Sequence, residues 1–218
     1  MLSSKPIIFW FRRDFRLAEH AAILAASQSQ RPVIPVVLLD EVAETYGAAS
    51  KWRLSQAIEQ FEHRLKGVGS RLILRRGTAA EELLALARET GAEDIWWTRA
   101  YDPDAIARDT KVKSTLKDAG FRPRSWPGHL LFEPWAVKTK QGGFFKVYSP
   151  MWRAVKDLDV APPEAAPQQL LAPESWPQSD RLQDWALETA MHRGARVLAP
   201  HANVGEQAAD ARLADFMS

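Results

Sequence analysis

The side chains best suited to chemistry stand directly after short apolar runs. Arg12, Arg13 and Asp14 follow Ile7–Phe11, Asp40 and Glu41 close or follow Val33–Leu39, and Arg99, Tyr101 and Asp102 follow Asp94–Thr98. A guanidinium at such a place can pair with a carboxylate or phosphate, or stack on a planar ring. For Arg12 and Arg13 a ligand role and a structural role are equally open, whereas Asp14 and Arg16 read first as an internal ion pair that fixes the turn. Asp40 and Glu41 could bond a ring nitrogen of a heterocycle, with a solvated turn as the plainer reading. Lys51 opens a helical run, where it could meet a phosphate or carboxylate beside the helix N-terminus; a surface lysine is the equal alternative. Tyr101 could stack on a ring or simply cover the strand end. Asp102-Pro103 starts a helix with one N–H fewer to offer a polar ligand.

Other chemistries find no residues. There is no cysteine, which removes disulfides, thiol catalysis and cysteine-ligated metals. The histidines (His20, His63, His129, His192, His201) show no ligand spacing, so no metal is expected. No G-x-G-x-x-G follows the first apolar run, which argues against a dinucleotide. No nucleophile, triad or carboxylate pair stands out, and no catalytic residue is assigned. The formal net charge of +2 does not argue for a nucleic-acid binder. No signal peptide or bilayer-length apolar run is visible, so no membrane is expected and the cytoplasm is the default compartment. Nine tryptophans are unusual; about two in three are assigned to packing.

The elements that must position these residues alternate. Strands are expected over residues 7–11, 33–39, 71–74 and 94–98, with a weaker one over 121–126. Helices are expected over 18–27, 50–66, 78–90 and 103–119. Thr78 and Glu81 have the spacing of a capping box, and Gly91 and Gly120 stop their helices. Strand–helix alternation of this kind predicts an α/β fold: a doubly wound, mostly parallel five-stranded sheet covered on both faces. Its ligands bind beyond the C-terminal ends of the strands, where the candidate residues stand.

Beyond residue 130 the pattern changes. Residues 130–156 read as irregular and aromatic, 161–177 as a Pro-, Gln- and Ala-rich linker along the domain surface, and 180–191 and Glu206–Met217 as short helical patterns. Residues 111–156 hold ten Lys/Arg against two Asp/Glu, and residues 157–218 hold four against ten. A basic face docked on an acidic tail accounts for this more simply than a DNA or phosphate patch. The aromatic and basic residues of 126–152 read likewise as packing on another domain rather than as stacking on single-stranded nucleic acid.

Several runs resemble the photolyase/cryptochrome family in order. FWFRRDFRLAEHAAI (Phe9 to Ile23) is similar to its opening signature, through Trp10, Arg12, Arg13, Asp14, Phe15, Arg16 and Leu17. SKWRL (from Ser50), RLILRRG (from Arg71), WWTRAYD (from Trp96), LFEPW (from Leu131), VYSPMW (from Val147) and GEQAADARLADF (from Gly205) resemble later family segments. The resemblance implies an N-terminal α/β domain that holds a light-harvesting antenna, a linker, and an all-helical FAD-binding domain. In photolyases the excited reduced flavin passes an electron to a pyrimidine dimer in DNA. The residues expected to bind the cofactor are those at the strand ends and the second helix start: Arg12, Arg13, Asp40, Glu41, Lys51, Arg99, Tyr101 and Asp102. Where folate-binding relatives carry Asn-Glu, this chain reads Asp102-Pro103, so a deazaflavin or FMN is favoured over folate. The expected organisation is an antenna-type domain over 1–130, an irregular segment and linker over 131–204, and the first helix of a truncated FAD-binding domain over 205–218. The expected partners are that domain and damaged DNA, with no repair by the chain alone. A cryptochrome photoreceptor domain and a stand-alone nucleotide- or flavin-binding module are the alternatives.

Overall fold

The computed structural model describes residues 5–218. Strand and helix alternate as β1 (Ile7–Phe11), α1 (Ala21–Gln28), β2 (Val33–Leu39), α2 (Ala48–Gly67), β3 (Ile73–Arg76), α3 (Ala79–Thr90), β4 (Asp94–Thr98), α4 (Pro103–Asp118) and β5 (Arg122–Trp126). The five strands are parallel in the order β3-β2-β1-β4-β5. β1, β2 and β4 are buried along their whole length, which is why they read as unbroken apolar runs.

Side chains alternate across β1 and so divide the core. Ile7, Phe9 and Phe11 pack with Ile23 of α1 and with Phe61 and Leu65 of α2. Ile8 and Trp10 pack on the opposite face with Leu83 and Leu86 of α3 and with Val112 and Leu116 of α4. Each such side chain stabilises the fold by about 1.5–3 kcal/mol through burial, and the helices hold the sheet from both sides.

Three local expectations are corrected. β3 lies two residues later than 71–74: Ile73 pairs with Val36, and Arg76 with Leu39. It is an edge strand, and the side chains of Arg75 and Arg76 lean out to Glu89 and Glu44, so charge does not end it. Thr78 is the N-cap of α3 but makes no side-chain cap bond. Glu41 takes that place from the end of β2, its Oε2 accepting from the N–H of Ala79 at 2.9 Å. The pattern over 180–191 is not one helix but two 3₁₀ turns, Leu182–Trp185 and Thr189–Met191, separated at the left-handed Ala186. By contrast, Asp102 caps α4 through the N–H of Ala105 with Pro103 following, and Gly91 ends α3 in the left-handed region at φ 67°, as the sequence indicates.

The stretch read as irregular contains a short helix, α5 (Tyr148–Val155). The segment from residue 161 to 187 runs along the domain and contributes Leu170, Trp185 and Leu187 to the core on the α1/α2 face. It also covers the outer edge of β3: Asp180 N–H donates to Leu74 O at 2.8 Å, and Leu74 N–H donates to Ser179 Oγ at 2.9 Å. The chain continues through α6 (Arg193–Leu198) into α7 (Glu206–Met217). The start of α7 is anchored by Glu206, while Leu213, Phe216 and Met217 near its other end are exposed.

Candidate ligand cleft at the sheet edge

The turn leaving β1 stands where strand order reverses between β1 and β4, the usual crevice of a doubly wound sheet. Its interior is organised by the buried Asp14. One carboxylate oxygen accepts from the Arg12 N–H at 3.1 Å; the other accepts from His20 Nε2 at 3.0 Å and from the Thr98 hydroxyl. His20 Nδ1 accepts from the N–H of Ile23 and caps α1, so the ring proton sits on Nε2 and points at Asp14. Burial pushes the Asp14 pKa up, but the bonds from His20 and Thr98 and the charge of Arg12 outweigh it. The carboxyl is held well below the usual range. The expected Asp14–Arg16 ion pair does not form. Asp14 turns inward, and Arg16 spans the turn to the carbonyls of Glu19 and Gly128.

Arg12 lies on the α4 side of the sheet, two residues after Trp10. Its Nη1 donates to both oxygens of Asp109, at 2.6 and 2.7 Å, and its Nη2 donates to the carbonyl of Thr98. Burial pulls its pKa below the ordinary guanidinium value, against the charge of Asp109. Arg108 donates to Asp40 at 2.9 Å and shares Asp109. The two guanidinium carbons lie 4.6 and 4.8 Å from the Trp10 ring centroid. Asp40 is thus paired through one oxygen, and through the other it accepts from the N–H groups of Val42 and Ala43.

Beside this cluster, which it touches through Arg12, opens a cleft of about 570 Å³ between the β1–α1 turn and α2. Arg12, Arg13 and Phe15 line it from the β1–α1 turn and Ala49, Ser50, Arg53, Leu54 and Ala57 from α2, and Tyr46 lines it from the segment before α2. Arg13 donates to the Tyr46 hydroxyl at 3.2 Å and lies 3.4 Å from Asp102. Gly47, the N-cap of α2, supplies no side-chain acceptor, so the helix start beside Ala49 and Ser50 is uncapped by a side chain. Guanidinium groups, an open helix start and apolar or aromatic walls suit a planar ring carrying an anionic group. No nucleophile and base meet there.

The candidate residues therefore separate. Arg12 and Arg13 line the cleft. Asp102 reaches its rim through Arg13, and Lys51 lies beside it, 3.6 Å from Glu44. Asp40 and Glu41 are engaged in the turn, the Arg108 pair and the cap of α3. Arg99 and Tyr101 meet elsewhere, on Glu133 at 2.7 and 2.8 Å, with Arg99 also 5.0 Å from the Trp135 ring. Burial and the bond to Glu133 raise the Tyr101 pKa. Sequence reasoning missed Phe15, Tyr46, Arg53 and Leu54. The helical spacing of Ser50, Arg53, Leu54 and Ala57 on one face of α2 is the signal that could have found most of that wall. A larger groove of about 920 Å³ runs between α2 and residues 179–189. Its acids and bases are mixed (Glu59, Glu62 and Glu188 with Lys66, Arg71 and Arg181), which defines no ligand chemistry.

A parallel β3-β2-β1-β4-β5 sheet with arginines where a dinucleotide fold places glycines defines a doubly wound, Rossmann-like α/β domain of unusual type. The sequence model of the DNA photolyase family matches residues 7–169, and the chain belongs to that family. It is 38% identical to the deoxyribodipyrimidine photo-lyase of Agrobacterium fabrum over 217 residues, 99% of this chain and 45% of that protein. It is 32% identical to cryptochrome-2 of Arabidopsis thaliana over 73% of this chain and 27% of that protein. The chain thus spans less than half the length of these relatives. The crystal structure of a class III photolyase from Agrobacterium tumefaciens superposes with a TM-score of 0.82 at 40% identity, over 86% of this chain and 39% of that one. An archaeal photolyase from Sulfolobus tokodaii shares the fold at a TM-score of 0.66 and 20% identity, over 92% of this chain and 47% of that one.

Proposed function

We propose that this chain is the chromophore-binding N-terminal part of a deoxyribodipyrimidine photolyase. The cleft bounded by Arg13, Tyr46 and Arg53 carries the reading: its volume of about 570 Å³ falls within the range of roughly 300–1,000 Å³ usual for small-molecule sites. The residues present fit a light-absorbing heterocycle with an acidic or phosphorylated tail, a deazaflavin or FMN before a folate. Tyr46 and Phe15 would face the ring, and Arg13 and Arg53 the charge. The bound heterocycle would supply light absorption; the chain holds it rigidly and screens it from water.

In this reading the catalytic FAD belongs to a C-terminal helical domain. That domain acts on pyrimidine dimers in damaged DNA, and α7 is its first helix. The photolyase reading is preferred to a cryptochrome because the similarity to the Agrobacterium photo-lyase extends over 99% of the chain, against 73% for cryptochrome-2. Absorption and fluorescence spectra of the purified protein, alone and titrated with deazaflavin, FMN and folate, test the chromophore assignment. A near-UV to blue band that Arg13→Ala with Arg53→Ala weakens supports it; no uptake of any of the three refutes it.

A further inference from the structure

The two walls of the cleft belong to different elements, and a residue remote in sequence ties them together. Glu206, at the start of α7, has a carboxylate that is only 8% exposed. It accepts from the N–H of Ala18 at 2.7 Å and from the N–H of Leu17 at 3.2 Å, both in the turn that carries Arg13 and Phe15. The same carboxylate lies 3.5 Å from Arg64 on α2, the helix that carries Arg53 and Leu54. Phe15 meets Phe61 of α2 at 5.6 Å between ring centroids, so the apolar contact and the carboxylate act on the same junction. The approach is close. Gly205 sits at φ 106°, and a Cβ there would stand 3.3 Å from the Cβ of Gln60 on α2.

We infer that Glu206 is a positioning residue for the cleft: the entry of α7 clasps the β1–α1 turn to α2 and sets the separation of the two walls. Three features carry this. The carboxylate supplies acceptors to two turn N–H groups that have no backbone acceptor among the described residues. Its charge faces the Arg64 guanidinium, on the helix that carries the opposite wall, rather than solvent. The clasp is made by the first residue of a helix whose far end is exposed, so the position of α7 and the shape of the cleft are mechanically linked. By reciprocity, a ligand that prefers one wall separation also favours one position of α7. The ligand class rests on the function proposed above; the clasp itself does not.

The chain has no cysteine, so a spin-label pair can be placed without background at Glu19→Cys in the turn and Glu59→Cys on α2. Pulsed electron–electron distance measurements on the full chain then read the separation directly. Glu206→Ala broadens and lengthens the distribution, and Glu206→Gln, which keeps an acceptor, restores part of the original. Amide exchange at Leu17 and Ala18 accelerates in parallel. Leu116→Ala, a core variant on the opposite face of the sheet, serves as a control of matched destabilisation and leaves the distribution unchanged. Where FMN binds the wild type, its affinity for Glu206→Ala falls about tenfold. A distribution for Glu206→Ala that superimposes on the wild type overturns the inference, as does equal broadening in Leu116→Ala. Failure of FMN to bind the wild type tells against the chromophore reading alone, because the distance measurement needs no ligand.

Discussion

Replacing Asp109 by alanine isolates the buried electrostatic cluster that holds Arg12 at the edge of the cleft. In the native protein Arg12 has side-chain exposure of 9%, and Asp109 has 14%. Both Asp109 oxygens engage Arg12 Nη1, and one of them is shared with Arg108. Arg108 keeps Asp40 when Asp109 is removed, but Arg12 keeps only the Thr98 carbonyl and the face of Trp10. Breaking a buried pair by deleting one partner strands the other charge, at about 3–5 kcal/mol. Arg12 retains some compensation, so the lower end applies, about 3 kcal/mol. For a chain of this size that lowers Tm by roughly 6–12 °C. Asp109→Asn keeps one acceptor and loses about half as much. Chemical denaturation of the wild type, Arg12→Ala, Asp109→Ala and the double variant measures the coupling. The double variant is less destabilised than the sum of the singles by at least about 1.5 kcal/mol, within the range for residues in contact. A cost for Asp109→Ala below about 1 kcal/mol, or strictly additive singles, refutes the claim that Asp109 holds a desolvated Arg12.

Asp14 has its pKa depressed in the folded state, so its stabilisation is fully present above the unfolded value of about 3.9 and is lost as pH falls toward the folded value. Urea titrations between pH 7 and pH 2 show wild-type stability falling steeply below about pH 4, while Asp14→Asn is weaker at pH 7 and declines less steeply in acid. A slope identical in the two proteins refutes the assignment. Gly205→Ala places a side chain at a positive φ and against Gln60, costs about 1–3 kcal/mol, and exposes the 201–206 segment to limited proteolysis. Ser179→Ala removes the acceptor for the Leu74 N–H, costs about 1–3 kcal/mol, and speeds exchange of that amide while leaving the Ile8 amide protected.

The sheet was legible because β1, β2 and β4 are buried on both faces and spell out apolar runs that no surface element would carry. β3 was displaced in the reading because an edge strand keeps polar residues: Arg75 and Arg76 belong to it only through partners on α3 and in the turn after β2, which pairwise spacing does not reveal. The caps divide the same way. Asp102 acts on its own helix and could be read locally. Glu41 caps a helix that starts 38 positions later, and that requires the strand order. At the site, Arg12 and Arg13 were found because strand ends are where such folds bind ligands. Tyr46 and Arg53 were not, because their convergence depends on where α2 crosses the turn. Asp14 and Arg16 illustrate the limit of proximity in sequence: two opposite charges two residues apart point to different places once Thr98 and His20 compete for the carboxylate.

The cover over β3 bears on how the protein is made. The outward N–H and C=O of Leu74 are satisfied by Ser179 and Asp180, about a hundred residues further along the chain. At roughly 5–20 residues per second, a ribosome needs on the order of 5–20 s to deliver that cover after Leu74 has emerged. Throughout that interval the nascent sheet presents a bare edge, the surface through which sheets join other sheets. Arg75 and Arg76 put two adjacent positive charges in that strand, a feature of the kind that discourages exposed edges from pairing. Arg75 also donates to the Gln178 carbonyl and so holds the cover itself, whereas Arg76 pairs with Glu44. Neutralising Arg76 alone would therefore leave the mature fold its cover and lower the yield of soluble protein from translation, most of all at high expression rates.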